Sequence, residues 1–218
     1  MSDSAGAARP PRKQQQRSIV TQQKLLDAAV EAFSENGFKG TSTRDIAERA
    51  GVHHPLITYH FKNKDQLWRA AADRVFSEFG EAVDRALRDL SEHDAQGRIV
   101  QMIRAYVRFA YDQPALHKVL VQEASYSNER LDWLIESHLR PFFEANVEHI
   151  KALQARGIAP PGDPALLYHM IRITAGGLLA IQLEMRGTSG LDITSEDSLE
   201  QLSDMIVRVF LPGIDAQD

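Results

Sequence analysis

Hydrogen-bond donors recur through residues 41–64, TSTRDIAERAGVHHPLITYHFKNK, at spacings that suit a nucleic-acid backbone and groove. Thr43, Tyr59, His60 and Lys64 can each donate to a phosphate oxygen, and together they bracket one short segment. Thr58 stands beside Tyr59 on the same outward side. Thr43 reads equally as part of a helix cap, and His60 as a half-buried spacer. Arg44, His54 and Pro55 are candidates for reading base edges. An Arg fork matches guanine O6 and N7, although a phosphate or solvent contact suits Arg44 as well. Pro55 lacks a donor and offers an apolar contact, such as to a thymine methyl. His53 reads as a turn residue. Adjacent helical residues such as His53 and His54 point about 100° apart and chelate poorly. The chain carries no HExxH, G-x-S-x-G or Gly-rich phosphate signature. No metal, cofactor or catalytic residue is therefore expected, and the chain is read as a non-enzyme.

Two short helices must position these side chains. Thr41, Ser42 and Thr43 supply hydroxyls able to cap a helix. Ile46, Ala47 and Ala50 make its apolar face, and Gly51 ends it by tolerating a positive φ. A second run at about 54–61 turns Ile57 and Phe61 inward. Two helices joined through a Gly-containing turn form a helix-turn-helix, whose second helix enters the major groove. Lys62-Asn63-Lys64 then forms a turn and the start of a third helix, where a cation beside free N–H groups can clamp a phosphate.

With these residues in place the chain resembles the TetR family of bacterial transcriptional regulators. The resemblance is carried by Leu25-Leu26, Ala28-Ala29, Phe33, Gly37-Phe38, Thr41-Ser42-Thr43, Asp45-Ile46-Ala47, Ala50-Gly51-Val52, Tyr59-His60-Phe61, Lys64 and Leu67. It is sharp over about residues 17–70. The start of the second helix, His53-His54-Pro55-Leu56, departs from the family's small or basic residues, which bears on the operator sequence.

The chain has 218 residues, 43% of them apolar, and no Cys, so it can build a core without disulfides or thiolate chemistry. No secretory leader and no apolar run of about 20 residues is read in it, so a cytoplasmic protein with no membrane partner is expected. The net charge of −5 argues against nucleic acid until its distribution is read. Residues 1–74 carry 12 Lys and Arg against 8 Asp and Glu, and the rest 13 against 22. A basic head on an acidic body leaves one face attractive to phosphate.

Three parts are expected: a disordered basic arm, 1–16; a helix-turn-helix domain, 17–64; and a regulatory ligand-binding and dimerisation domain, 65–218. The arm holds Arg9, Arg12 and Lys13, with Arg17 just after it; it either follows the minor groove or is a solubilising tail. The fold class is all-α with about nine helices. They are placed at about 18–36, 41–50, 54–61, 64–90, 95–113, 114–124, 129–156, 164–186 and 195–211, with a kink at Pro141 in the seventh.

The resemblance further implies a ligand pocket between body helices and a homodimer on a palindromic operator. Tyr106, Phe109, Trp133, His138, Phe142, Tyr168 and Arg172 are the pocket candidates, and ordinary core packing is the competing reading of each; Tyr111 and His169 share this ambiguity. Arg172, on a mostly apolar helix, suits an anionic or carbonyl ligand, or an acid across a dimer. Ile171, Ala175, Leu178, Leu179, Leu202, Met205, Ile206 and Val209 are read as a four-helix dimer interface, with a monomer core as the alternative. The function expected is a ligand-responsive repressor with double-stranded DNA, a second copy and a small-molecule effector as partners. A helical interaction protein or an activator with a weakened head is the alternative.

Overall fold

The computed structural model describes residues 12–214, all-helical in its regular elements. Eleven α-helices and one π-helical turn occur among the described residues, and the chain divides into two units, 1–72 and 73–218.

The first unit holds α1 (Arg12–Gly40), α2 (Thr43–Arg49), α3 (Pro55–Phe61) and the opening turns of α4 (Lys64–Leu87). Leu25, Ala29 and Phe33 recur at intervals of four along α1, so one stripe is buried. Ile46 and Ala47, then Ile57 and Phe61, bring the inner faces of α2 and α3 into this head. Leu67, Trp68, Ala71 and Ala72 of α4 are buried as well. For that reason the division falls within α4 rather than at residue 64. Each such large side chain contributes about 1.5–3 kcal/mol on burial. Gly37 breaks α1 with φ 68 and ψ 175, near the expected end of this helix. The Thr41 hydroxyl then lies 2.9 Å from the Ala32 carbonyl and 2.8 Å from that of Gly37. At its other end α1 begins at Arg12, so residues 12–16 are helical rather than part of the expected arm. Their Arg, Lys and Gln are good helix formers. Arg9 and the rest of the arm lie outside the described residues.

The second unit comprises the remainder of α4, α5 (Ala95–Asp112), α6 (Ala115–Ala124), α7 (Glu129–Leu134), α8 (Arg140–Ala155), α9 (Pro164–Ala180), α10 (Gln182–Ser189) and α11 (Glu196–Phe210). Helix α5 is central, packing against α8, α9 and α11, with α6 against α9. Asp94 caps α5 by accepting from the Gly97 N–H at 2.8 Å, and Arg104 meets Asp204 of α11 at 2.9 Å.

Two expected helices are each divided. Residues 129–156 form α7, a π-turn over Ile135–Leu139, and α8. Pro141 cannot donate a backbone hydrogen bond, and the preceding Arg140 N–H reaches back five residues to the Ile135 carbonyl. The run expected at 164–186 bends by 69° between α9 and α10. Its Ile181 amide divides its bond between the Gly177 and Leu178 carbonyls, both at 3.3 Å, and Gly176-Gly177 one turn earlier weaken the ladder. Gly187 lies inside α10, which ends at Gly190 with φ 71.

Candidate nucleic-acid interface and body cavity

The head presents α2 and α3 through local rules. Ser42 and Asp45 form a reciprocal capping box, with Asp45 N–H donating to Ser42 Oγ at 3.1 Å. At the other end of α2, the Val52 N–H donates to the Ala47 carbonyl and the Gly51 N–H to that of Glu48, both at 3.0 Å. Gly51 has φ 62, the left-handed conformation this closing motif requires. Pro55 opens α3 where a missing N–H costs nothing.

These elements place the candidates unequally. Arg44, His54, Pro55, Thr58 and Tyr59 are exposed, Tyr59 at 75%. His53 is also exposed, in the turn. Thr43 Oγ1 and His54 Nε2 are 3.0 Å apart, joining the first residue of α2 to the cap of α3. His60 and Lys64 are half-buried. Burial lowers the His60 pKa, so its ring offers one N–H at neutral pH rather than a charge. The edge of its ring meets Tyr59, with centroids 4.9 Å apart. Lys64 Nζ sits 4.4 Å over the Phe38 ring. Between α3 and α4, Lys62 adopts φ 64, which costs about 1 kcal/mol for a non-glycine residue. This conformation lets Asn63 Oδ1 accept from the Gln66 N–H at 2.8 Å.

The body holds a partly open cavity of about 410 Å³. Phe76 and Phe79 of α4, Ile99, Met102, Ile103 and Tyr106 of α5, and Leu116 and Leu120 of α6 form part of its wall. His138 of the π-turn, Phe142 and Asn146 of α8, and Tyr168, Ile171, Arg172 and Ala175 of α9 form much of the remainder. Five pocket candidates thus line one space: Tyr106, His138, Phe142, Tyr168 and Arg172. Phe109 and Trp133 do not. Phe109 packs behind Phe79 at 5.3 Å, and Trp133 sets its ring edge against His138 at 5.2 Å. The aromatic period alone does not separate a wall from the layer behind it. Tyr111, another ambiguous aromatic, donates to the Thr194 carbonyl at 3.1 Å, and His169 stacks on Phe143.

Sequence reasoning missed three participants. Phe79 meets Tyr106 at 5.5 Å and Phe142 at 5.4 Å. Asn146 is buried and donates to the Phe142 carbonyl at 2.7 Å. His117 is buried beside Tyr106; its only sequence signal is a titratable ring, next to Lys118, in the short run ALHKVL.

The polar end of the cavity is electrostatically unusual. No Asp or Glu lines the wall, and Arg172 is its one residue of fixed charge among those described. Burial raises the Tyr106 pKa, with Arg172 opposing, and pushes Tyr168 up to about 12. Burial, followed by Arg172, lowers that of His117. Arg172 is near enough to act on the Tyr106 hydroxyl, yet no hydrogen bond of good geometry satisfies Tyr106 Oη or His117 Nδ1. Such buried orphans cost about 1–3 kcal/mol each. A Cβ at Gly176 would lie 2.6 Å from His117 Nδ1 and 3.0 Å from Tyr106 Oη, so glycine is what permits their approach to α9.

The residues assigned to a dimer face divide in two. Ile171 and Ala175 line the cavity, while Leu202 and Ile206 are buried within the protomer's core. These four are not available to a partner. Leu178 and Leu179 are half-buried. Met205 and Val209 are 59% and 65% exposed. The outward apolar row on α9 is instead Leu166, Met170 and Ile173, spaced as one helical face.

Comparisons bear on both units. Residues 25–71 match the family described as bacterial regulatory proteins, tetR family. The chain is 28% identical over 117 residues to the biofilm operon icaADBC HTH-type negative transcriptional regulator IcaR of Staphylococcus epidermidis, covering 54% of this chain and 60% of that one. It spans only about half the length of several curated relatives it matches. The HTH-type transcriptional regulator RutR of Escherichia coli (strain K12) is matched more fully, at 22% identity over 209 residues, 96% of this chain and 97% of that one. The fold is shared with AibR, solved in complex with isovaleryl coenzyme A and operator DNA. There the TM-score is 0.72 at 18% identity, over 88% of this chain and 98% of that one. The head, over residues 25–71, is thus similar to the bacterial regulatory proteins of the tetR family.

Proposed function

We propose that this protein is a ligand-responsive transcriptional repressor that binds a palindromic operator as a homodimer. The observation that carries this reading is the outward face of α3. Pro55, Thr58 and Tyr59 are exposed there while Ile57 and Phe61 hold the helix to the core. A short helix with a polar face, its start tied to α2 by the Thr43–His54 contact, suits insertion into the major groove. The phosphate contacts come from Thr43, Tyr59, His60 and Lys64, and the base-edge contacts from Arg44, His54 and Pro55. Repression agrees with IcaR being a negative regulator, and operator binding with the AibR complex, which holds operator DNA. The protein acts in the cytoplasm, where the DNA is, as a regulator rather than an enzyme.

Dimerisation rests on the apolar rows of α9 and α11, Leu166, Met170 and Ile173 with Met205 and Val209, which one protomer leaves exposed. The ligand response rests on the cavity, part of whose wall is α4. His138 stacks flat on Phe76 at 4.4 Å, so a ligand that displaces His138 also acts on α4. The first turns of that helix belong to the head. Coupling of this kind is typically worth about 1–3 kcal/mol. A reporter gene behind a promoter bearing a duplex that the protein selects from a random pool tests the sign. Transcription that falls when the protein is supplied supports a repressor, and transcription that rises makes it an activator.

A further inference from the structure

We propose that the body cavity takes an apolar monocarboxylate, its carboxylate held by Arg172 with Tyr106 and its hydrocarbon body against the aromatic and aliphatic wall. This rests on the reading of the cavity as the effector site.

Four observations converge. The wall is mainly Phe, Ile, Leu and Met, so an apolar body gains by entering. Arg172 brings a fixed positive charge into that wall, and no ion pair joins it to a carboxylate among the described residues. A guanidinium in such a setting calls for an anion, and its planar fork matches a carboxylate with two parallel bonds. Tyr106 Oη and His117 Nδ1, both on buried side chains, have unused hydrogen-bonding capacity beside the same turn of α9. Finally, the lining supplies one fixed cation and no acid, which balances a single negative charge. A dianion would leave one charge uncompensated in an apolar wall, and an alkylammonium would face Arg172 directly.

The geometry assigns secondary parts too. Tyr106 donates its phenolic proton to the second carboxylate oxygen, and Gly176 keeps open the space in which it does so. His117 is a positioning residue behind Tyr106; it is not part of the lining.

The test uses the full-length protein and three probes of matched length: decanoate, 1-decanol and decylamine, titrated by calorimetry. Decanoate should bind at least ten-fold more tightly than decanol, and decylamine most weakly. In Arg172→Gln the acid should lose ten-fold or more while decanol stays within about three-fold, which also shows that the cavity is intact. Should Arg172→Gln fail to fold, Tyr106→Phe keeps the shape and should reduce the acid-over-alcohol ratio several-fold. Equal binding of acid and alcohol to the wild type overturns the proposal, as does an unchanged ratio in either folded variant. Binding of none of the probes overturns the effector-site reading and the proposal together. Operator release is read separately. A preference for decanoate without release upholds the ligand class and refutes the regulatory reading, whereas equal release by acid and alcohol does the reverse.

Discussion

Thr43 Oγ1 and His54 Nε2 lie 3.0 Å apart, so the first residue of α2 and the cap of α3 form one hydrogen-bonded unit at the exposed edge of the head. In the proposed docking, a backbone contact and a base contact are therefore coupled: the hydroxyl that touches phosphate also orients the ring that reads a base. His54→Ala should lower affinity for the specific site about ten-fold and flatten its sequence preference. Affinity for random DNA should change little, since a lost base contact costs about 1–3 kcal/mol of discrimination. Fluorescence anisotropy with specific and scrambled duplexes measures both. An equal loss on the two duplexes would assign His54 to the backbone instead.

The backbone-facing side of the head should respond differently. Tyr59→Ala with Lys64→Ala should weaken binding to all sequences alike. The slope of log affinity against log salt should become shallower by about 1, the share of a single lysine. A slope unchanged in a folded double variant would remove Lys64 from the phosphate contacts.

Two glycines should respond oppositely to alanine. Gly51 has φ 62 and open space around it, so Gly51→Ala imposes backbone strain of about 1–2 kcal/mol and should lower the melting temperature. Gly80 is inside α4 with nothing within 4 Å of an added Cβ, and its φ is not positive. Gly80→Ala should stabilise by up to about 1 kcal/mol, the propensity difference within a helix. Thermal melts of both variants decide the matter.

Much of the head was legible because its determinants are local. The Ser42 cap, Gly51 and Pro55 each act within a few residues, and they end and restart the chain near the expected places. The body was less legible because its determinants are not local. Helix α9 reads LLYHMIRITAGGLL, apolar on nearly every side, so its period does not reveal that Ile171 and Ala175 face a cavity while Met170 and Ile173 face out. The π-turn before Pro141 and the bend at Ile181 follow from how carbonyls are shared after packing. His117 gains meaning only beside Gly176 and Tyr106, which come from different helices.

The division of the α11 stripe gives a direct comparison of adjacent residues. Val209→Asp places a charge on an exposed apolar row and should leave a folded monomer. Ile206→Asp buries an unpaired carboxylate in the protomer and should unfold it, with a cost of several kcal/mol. Sedimentation velocity and circular dichroism separate the outcomes. A wild-type monomer at micromolar concentration would remove the dimer from the account.

Acid should weaken the body partly through His117. Burial and Arg172 hold its folded pKa below the ordinary value of about 6.5, so the neutral form is the one the fold accommodates. Below about pH 6.5 the unfolded chain binds the proton more readily than the folded one. Stability therefore falls as pH drops from 6.5 towards the depressed folded value, and the loss levels off beneath it. Chemical denaturation at pH 7 and pH 5 should show a smaller difference for His117→Gln than for the wild type. An identical difference would mean that His117 does not titrate in this window.

The central claim is that the head reads a symmetric DNA sequence. Selection of bound duplexes from a random pool by the full-length protein tests it most directly. The account predicts an enriched motif of two inverted half-sites about 10 bp apart, or a multiple of that spacing, lost in the Tyr59→Ala, Lys64→Ala variant. A pool that shows no enriched sequence after repeated rounds would contradict it.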